Sequence, residues 1–383
     1  MFRSSYDAIV VGARCAGAAT AMQMARGGAR VLLIDRAPEI GDTLSTHALM
    51  RPAVTLLDRW GVRPEIAART PMIDRTDFVY GDETISVPVK PRTGSPGLYA
   101  PRRMVLDRAL AAAAVRAGAE LRLGTAFDGV ERGADGRVIG AVLQTRRGQV
   151  RVLAPLVIGA DGRQSAVAAA FDAHLLAQGR DASAVLYTYV ASDGDTGYRW
   201  FYAPGIAAGI IPSTGGRTCV FVSCAAGEAR ARLGGPPEAA MARALERWLP
   251  DLAARIAAGG AVERVRRFFG ATGHIRMPRG PGWALVGDAA YFKDPITAHG
   301  ISDAFLDADR LAHAALASPG TLAAYGEAGG DAQRAFFELT NAVARYDWTM
   351  DDIRALHLRI NAVLKAEEAD LAARSGADRA TAA

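Results

Sequence analysis

Three strand-end segments, spread over most of the chain, carry the residue types that bind phosphates and polyols. The first spans residues 6–35. Residues 6–11 (YDAIVV) are apolar and rich in β-branched side chains, the pattern of a buried strand. A turn, Gly12-Ala13-Arg14-Cys15-Ala16-Gly17, leads into an Ala-, Met- and Gln-rich helical stretch that Gly27-Gly28 stops after Arg26. Residues 30–35 (RVLLID) then form a second strand ending in an acid. A turn feeding a helix N-terminus presents free N–H groups and the positive end of the helix dipole to an anion. The first glycine permits the tight turn, the last lets the helix pack on the strand, and a carboxylate at Asp35 accepts from an adenosine ribose. The spacing predicts a dinucleotide site. It departs from G-x-G-x-x-G at Arg14, whose side chain either turns outward or adds charge to the phosphate site. An ordinary βαβ unit with a coincidental glycine pair is the competing reading.

The other two segments lie far downstream. Residues 155–165 (PLVIGADGRQS) read as a short strand closed by the turn Gly159-Ala160-Asp161-Gly162. Residues 283–308 (WALVGDAAYFKDPITAHGISDAFLDA) read as a strand ending at Gly287-Asp288, then, after Pro295, a helix starting near Gly300 and running past Leu311. An acid at a strand end followed by a helix N-terminus again suits a phosphate-bearing polyol chain. Asp288 can accept from sugar hydroxyls while N–H groups near Gly300 face a partial negative charge.

Taken in this order, with an RxxLD element at Arg103 to Asp107, the segments resemble the FAD-dependent flavoprotein monooxygenases, the group A or aromatic-hydroxylase-like family, and the related geranylgeranyl reductase-like flavoproteins. The resemblance implies an α/β fold: an FAD-binding Rossmann-like, three-layer βαβ domain, an inserted, mostly antiparallel β-sheet substrate domain, and a helical C-terminus. The corresponding division is 1–70, 96–180 and 277–325 for the FAD domain, 71–95 and 181–276 for the substrate domain, and 326–383 for the helical region. It also implies roles. Gly12, Ala16 and Gly17, with Arg14 beside them, hold the pyrophosphate; Asp35 binds the ribose and Arg36 lies near the adenine. Arg103, Gly287 and Asp288 serve the ribityl or phosphate region. Pro295, Gly300 and Ile301 lie against the isoalloxazine, and Asp161-Gly162 is tied to both FAD and the nicotinamide donor. Tyr291, Ala298 and Ser302 stand where the family pattern often has His, Gly and Asn. The bland alternatives are that Asp161 braces its turn, Arg103 is a surface charge, and Asp35 caps a strand.

The activity implied is FAD-dependent monooxygenation. NADH or NADPH reduces FAD, and dioxygen then forms a flavin hydroperoxide that oxygenates a small or medium hydrophobic or aromatic substrate. The alternative is an FAD-dependent alkene reductase of the geranylgeranyl reductase-like type, which needs reduced FAD beside an apolar pocket but inserts no oxygen. A halogenase is disfavoured, because the nearest match to WxWxIP is residues 207–212 (AAGIIP), with neither Trp present. A prenyl-chain carrier is the non-enzymatic alternative.

The elements that would wall the substrate lie between these segments. VLYTYV, YRWFY, AAGIIP and TCVFVS, between residues 185 and 223, read as strands separated by Gly194, Gly205 and Gly215-Gly216. At period two, Tyr187 and Tyr189 share a face, as do Trp200 and Tyr202, so the four are candidates for the substrate pocket or for ordinary sheet packing. Residues 72–95 are expected to add strands, 237–257 a helix packed on the sheet, and the last fifty residues mostly helix. His47, in the loop GDTLSTH, and His299 are the weak catalytic candidates, as proton donors or acceptors.

Composition excludes much else. The chain has 383 residues, 50% hydrophobic and 22% charged, so two to three domains with a real core are expected rather than disorder. No run reaches the roughly 18 apolar residues of a membrane span, so stable membrane insertion is not expected. The apolar run near the N-terminus holds Asp7 and is soon broken by Gly12 and Gly17, unlike a secretory signal. The net charge of +5 comes from scattered residues, nearly all Arg, without the basic stripe of a nucleic-acid binder. The six histidines show no metal-ligand spacing. Cys219 and Cys224, five apart in a strand, fall on opposite faces and cannot form a disulfide; three unpaired cysteines imply a reducing, cytoplasmic location.

Overall fold

The computed structural model describes all residues except 1, 4, 93, 318–321, 328–329 and 382–383, so the extreme end of the expected C-terminal helix lies outside the described residues. A six-stranded sheet runs Arg279–Gly280, Trp283–Leu285, Val157–Gly159, Ala8–Val11, Val31–Asp35, Glu120–Leu123. All neighbours are parallel except the Arg279–Gly280 edge. Its inner strands, Ala8–Val11, Val31–Asp35, Val157–Gly159 and Trp283–Leu285, are nearly all apolar, as strands covered on both faces are, whereas the two edges carry Glu120, Arg122 and Arg279. Alternate side chains separate two cores. Ala8, Val10, Leu33, Ile158 and Ala284 pack with helices Cys15–Arg26, Arg103–Arg116 and Gly300–Ala317. Ile9, Leu32, Ile34, Val157 and Leu285 pack against the antiparallel sheet of Ala126–Arg132, Val138–Thr145 and Gly148–Leu153. These are the expected three layers. The parallel order also puts Gly12, Asp35, Asp161 and Asp288 just beyond the carboxyl ends of neighbouring strands, where open α/β sheets bind ligands.

A second, seven-stranded sheet runs Arg266–Phe268, Ser183–Ala191, Arg217–Ala225, Ile206–Ser213, Gly197–Ala203, Arg75–Tyr80, Glu83–Pro88. It is antiparallel except where Gly197–Ala203 meets Arg75–Tyr80 in parallel. Leu186, Val190, Phe201, Val220 and Cys224 form one core with helices on the outer face. Tyr187, Tyr189, Trp200, Tyr202 and Cys219 join the core of the cofactor-side helices. The two cysteines therefore do sit in different cores, and all three cysteines are free.

The single helix expected over 237–257 is instead two, Pro237–Leu245 and Pro250–Ala257. Pro250 has no N–H to continue the first and is pre-organised to begin the second. A small sheet of Leu175–Gln178, His274–Arg276 and Tyr291–Phe292 pairs residues 274–276, expected in the substrate unit, with two segments expected in the cofactor unit. Helix Met350–Thr381 ties the seven-stranded sheet to helix Gly300–Ala317. His357 Nδ1 meets the Tyr80 hydroxyl at 2.7 Å, Arg354 pairs with Glu83 at 2.5 Å, and Arg374 reaches Asp309 at 3.3 Å. Among the described residues no helix is long and apolar enough to cross a membrane.

Candidate functional site

The glycine turn is set by close approach. Gly12 holds φ +105°, and a Cβ there would lie 2.4 Å from the Ala160 carbonyl oxygen. At Gly17 a Cβ would lie 1.8 Å from the Gly12 oxygen. No side chain fits either position, so the first and last glycines of the fingerprint do the steric work the sequence assigns them. The Gly12 N–H donates to the Ile34 carbonyl at 2.8 Å. Asp35 accepts from the Ala13 N–H through Oδ2 and from the Ala37 N–H through Oδ1, both at 2.9 Å. It thus braces the turn, and each oxygen keeps acceptor capacity for a hydroxyl. Arg36 is exposed on the rim.

Arg14 neither points away nor stands alone. Its Nη1 donates to Asp107 at 3.2 Å and to the Gly41 carbonyl at 3.3 Å. Arg103 donates to the same carboxylate from Nε at 3.2 Å, and the Cys15 N–H donates to it at 3.1 Å. The Asp107 side chain is fully buried, and Arg103 keeps only 12% exposure. Burial pushes the Asp107 carboxyl up, and Arg103 and Arg14 pull against that. Two guanidiniums on one carboxylate leave a positive balance at the first turn of helix Cys15–Arg26, which has no acidic residue of its own. That balance suits a diphosphate. The role of Asp107 was not read from the sequence, although its signal, an Arg four residues earlier on one helix, lay within RxxLD.

Asp161 does brace its turn. Oδ2 accepts from Ala166 N–H at 2.7 Å and Val167 N–H at 3.3 Å, capping helix Ala166–Ala170. Its buried Oδ1 has no partner among the described residues. Gly287, at φ +61°, packs so tightly on Ala16 that a Cβ would lie 3.0 Å from the alanine methyl. This contact brings the 287–288 corner onto the glycine-turn helix. Burial raises the Asp288 carboxyl to about 6, with Arg103 opposing.

Pro295 begins a 3-10 turn whose preceding Asp294 accepts from Ile296 N–H at 2.9 Å and from Ser183 N–H and Oγ at 2.6 Å. The turn is thereby tied to the second sheet. Ala298 adopts φ +51°, the left-handed conformation that the glycine of the family pattern supplies freely, at a cost of roughly 1 kcal/mol. Gly300 then opens helix Gly300–Ala317, followed by Ile301, and a Cβ at Gly300 would meet nothing within 4 Å. Tyr291 donates its hydroxyl to the Gln333 carbonyl at 2.8 Å, and Ser302 is fully buried.

The four aromatic candidates share one buried face but not one neighbourhood. Tyr187 and Tyr189 stack edge to face beside His47. Trp200 packs on Tyr198 and Phe221. Tyr202 meets Tyr80, Trp348 and His357 of the C-terminal helix. His299 has different partners from His47: its Nε2 meets Glu367 Oε2 at 3.1 Å, and Asp303 beside it is bonded to Lys293. His299, Asp303 and Glu367 form a compact buried group, which spacing in sequence did not disclose, and Lys293 is the cation already placed on it. Glu367 comes from the last helix, 68 residues downstream.

The glycine cradle without room for a Cβ, the two guanidiniums at a helix N-terminus and the strand-tip carboxylates fit FAD. Residues 5–337 match the family described as FAD binding domain. Digeranylgeranylglycerophospholipid reductase of Methanosarcina mazei is 32% identical over 324 residues, 81% of this chain and 74% of that protein. The enzyme of that name from Thermoplasma volcanium is 27% identical over 311 residues, 79% and 76% of the two chains. Among solved structures, PqsL of Pseudomonas aeruginosa, described as a probable FAD-dependent monooxygenase, superposes with a TM-score of 0.75 at 20% identity, over 94% of this chain and 100% of that one. A geranylgeranyl bacteriochlorophyll reductase-like protein of Thermoplasma acidophilum gives 0.68 at 22% identity, over 95% and 96%. The chain belongs to the FAD-binding-domain family of flavoproteins and is an FAD-dependent oxidoreductase.

Proposed function

We propose that the protein is an FAD-dependent reductase of carbon–carbon double bonds in a long hydrophobic, prenyl-type substrate. This exchanges the order of the two activities inferred from the motifs, placing the alkene reductase ahead of the monooxygenase. The observation that carries it is the 32% identity with a digeranylgeranylglycerophospholipid reductase across 81% of the chain. The likeness to PqsL, at 20% identity, is one of fold.

FAD supplies two-electron transfer from NADH or NADPH to the substrate. The work of this chain is binding, orientation and exclusion of water. Gly12, Ala16, Gly17, Arg14 and Arg103 would hold the pyrophosphate, Asp35 the ribose, and Asp288 the ribityl or phosphate region. Pro295 and the backbone at Gly300 and Ile301 would lie along the isoalloxazine, with the helix N-terminus stabilising negative charge on the reduced ring. Tyr187, Tyr189, Trp200 and Tyr202, all buried, would supply an apolar wall for a prenyl chain.

Monooxygenation is the second reading, favoured by the likeness to PqsL and by the aromatic character of that wall. Anaerobic turnover separates the two. Protein with reduced FAD and a geranylgeranyl substrate, under strict exclusion of dioxygen, is expected to yield product with two added hydrogens for each double bond consumed. Product that forms only with dioxygen and carries oxygen would establish the second reading instead.

A further inference from the structure

One buried pair on the aromatic face sets a polar hydrogen bond within the apolar packing of the sheet. His47 is 1% exposed and holds φ +67°, a left-handed conformation uncommon for residues other than glycine. Ser45 Oγ accepts its N–H at 3.0 Å, its Nε2 meets the Tyr189 hydroxyl, and its buried Nδ1 has no partner among the described residues. This suits the tautomer that donates from Nε2 and leaves a bare lone pair on Nδ1. Burial pushes the imidazole down to about 3, against the pull of Asp42, so the ring is neutral at physiological pH.

The Arg102 guanidinium lies 4.5 Å over the Tyr189 ring and is itself held by Asp42 and Glu263. The next residue, Arg103, is a cation of the pyrophosphate cradle and acts electrostatically on both His47 and Asp288. The pair therefore stands where the apolar sheet meets the polar cradle. Burial pushes the Tyr189 phenol well above its ordinary range, and the cation over the ring opposes this. Cys219, Tyr187 and Asp42 also act on it electrostatically, each in the same direction as burial.

We propose that Tyr189 donates the proton to the substrate carbon during double-bond reduction, with His47 as a positioning residue that donates from Nε2 to the phenol oxygen. The proposal rests on the reductase reading. The π bond of the alkene breaks as one carbon takes up a hydride, with its two electrons, which reduced FAD bound in the cradle would supply. The proton of the Tyr189 O–H bonds to the other. Tyr189 is left a phenolate, held by His47 Nε2–H and the Arg102 cation until water returns the proton, and the two electrons gained by the substrate are those the flavin would give up. His47 keeps its protonation state throughout.

The test is anaerobic single-turnover oxidation of reduced enzyme by a geranylgeranyl substrate, followed in the flavin spectrum. Tyr189→Phe is expected to slow it about a hundredfold or more at unchanged FAD content, and to abolish the solvent deuterium isotope effect. His47→Gln, which keeps an amide donor near the Nε2 position, is expected to stay within about tenfold of wild type, whereas His47→Leu falls towards Tyr189→Phe. Flavin-free protein gives a readout independent of turnover. Nitrogen-15 shifts are expected to assign His47 to the Nε2–H tautomer, and Tyr189→Phe to release it to a mixture. An unchanged rate in Tyr189→Phe, a His47 held in the Nδ1–H tautomer, or a Tyr189→Phe protein that purifies without flavin would each overturn the assignment. If wild-type enzyme oxidises NAD(P)H but leaves the double bond intact, the reductase reading itself falls, and the proton donor with it.

Discussion

The glycine cradle and the aromatic face of the seven-stranded sheet contribute to one hydrophobic core, yet they are specified in opposite ways. The cradle is built from backbone and charge. Gly12 and Gly17 are required because neighbouring backbone fills the space of a side chain, and Arg14 and Arg103 are required to balance one buried carboxylate. The aromatic face is built from bulk, and most of its rings could be exchanged for others of similar volume without leaving a polar group unpaired. Tyr189, bonded to His47 under a guanidinium, is an exception, as are Tyr198, which donates to the Tyr99 carbonyl at 2.8 Å, and Tyr80, bonded to His357. A site of this kind tolerates drift in what it accepts far better than drift in how it holds its cofactor.

The sharpest way to break the comparison is to remove Asp107. Its loss leaves the Arg103 charge buried without a partner and the Cys15 N–H uncapped. Asp107→Ala is expected to cost on the order of 3–5 kcal/mol and to yield largely colourless protein, read from flavin absorbance and the melting temperature. A smaller effect is expected at the steric element. Gly17→Ala forces a methyl onto the Gly12 carbonyl and is expected to cost about 1–3 kcal/mol, with clearly weaker FAD retention.

Asp288 sharpens the contrast through pH. Its folded-state value, raised to about 6, lies above that of the unfolded chain, so between roughly pH 4 and 6 the folded state binds more protons and its stability falls as pH rises. Asp288→Asn is therefore expected to raise the melting temperature of flavin-free protein at pH 7 by about 2 °C, to lose that gain near pH 4, and to weaken FAD binding. A melting temperature lowered at pH 7 would remove the carboxylate from the set of groups held under strain for the ligand. The smallest effect is expected at Arg14, whose side chain is 34% exposed and therefore screened. Arg14→Gly is expected to weaken FAD by less than about tenfold in a binding titration, because Arg103 remains on Asp107.

Much of the cradle was legible because its constraints are local. A glycine turn between a β-branched run and an Ala-rich helix, followed by an acid at residue 35, is a pattern within 30 residues, and the structure places each part as the spacing requires. The alternation of Tyr187 with Tyr189, and of Trp200 with Tyr202, likewise fixed a shared face, because successive side chains on a strand must point opposite ways. The split of 237–257 into two helices was also written in the chain, at Pro250, but a run rich in Ala and Arg masked it. What stayed hidden was long-range: Asp107 joining Arg14, Tyr189 joining His47 across 142 residues, and Glu367 joining His299.

The amino-acid sequence by itself determined that three strand tips carry glycine turns and acids, and that one sheet face is aromatic, since both are set by patterns local in the chain. The tertiary structure decided which charges meet. A buried carboxylate acquires its role only from the partners that fold onto it, and neither the two arginines on Asp107 nor the histidine on Tyr189 is marked by spacing along the chain, because pairing through space is set by the packing of whole elements.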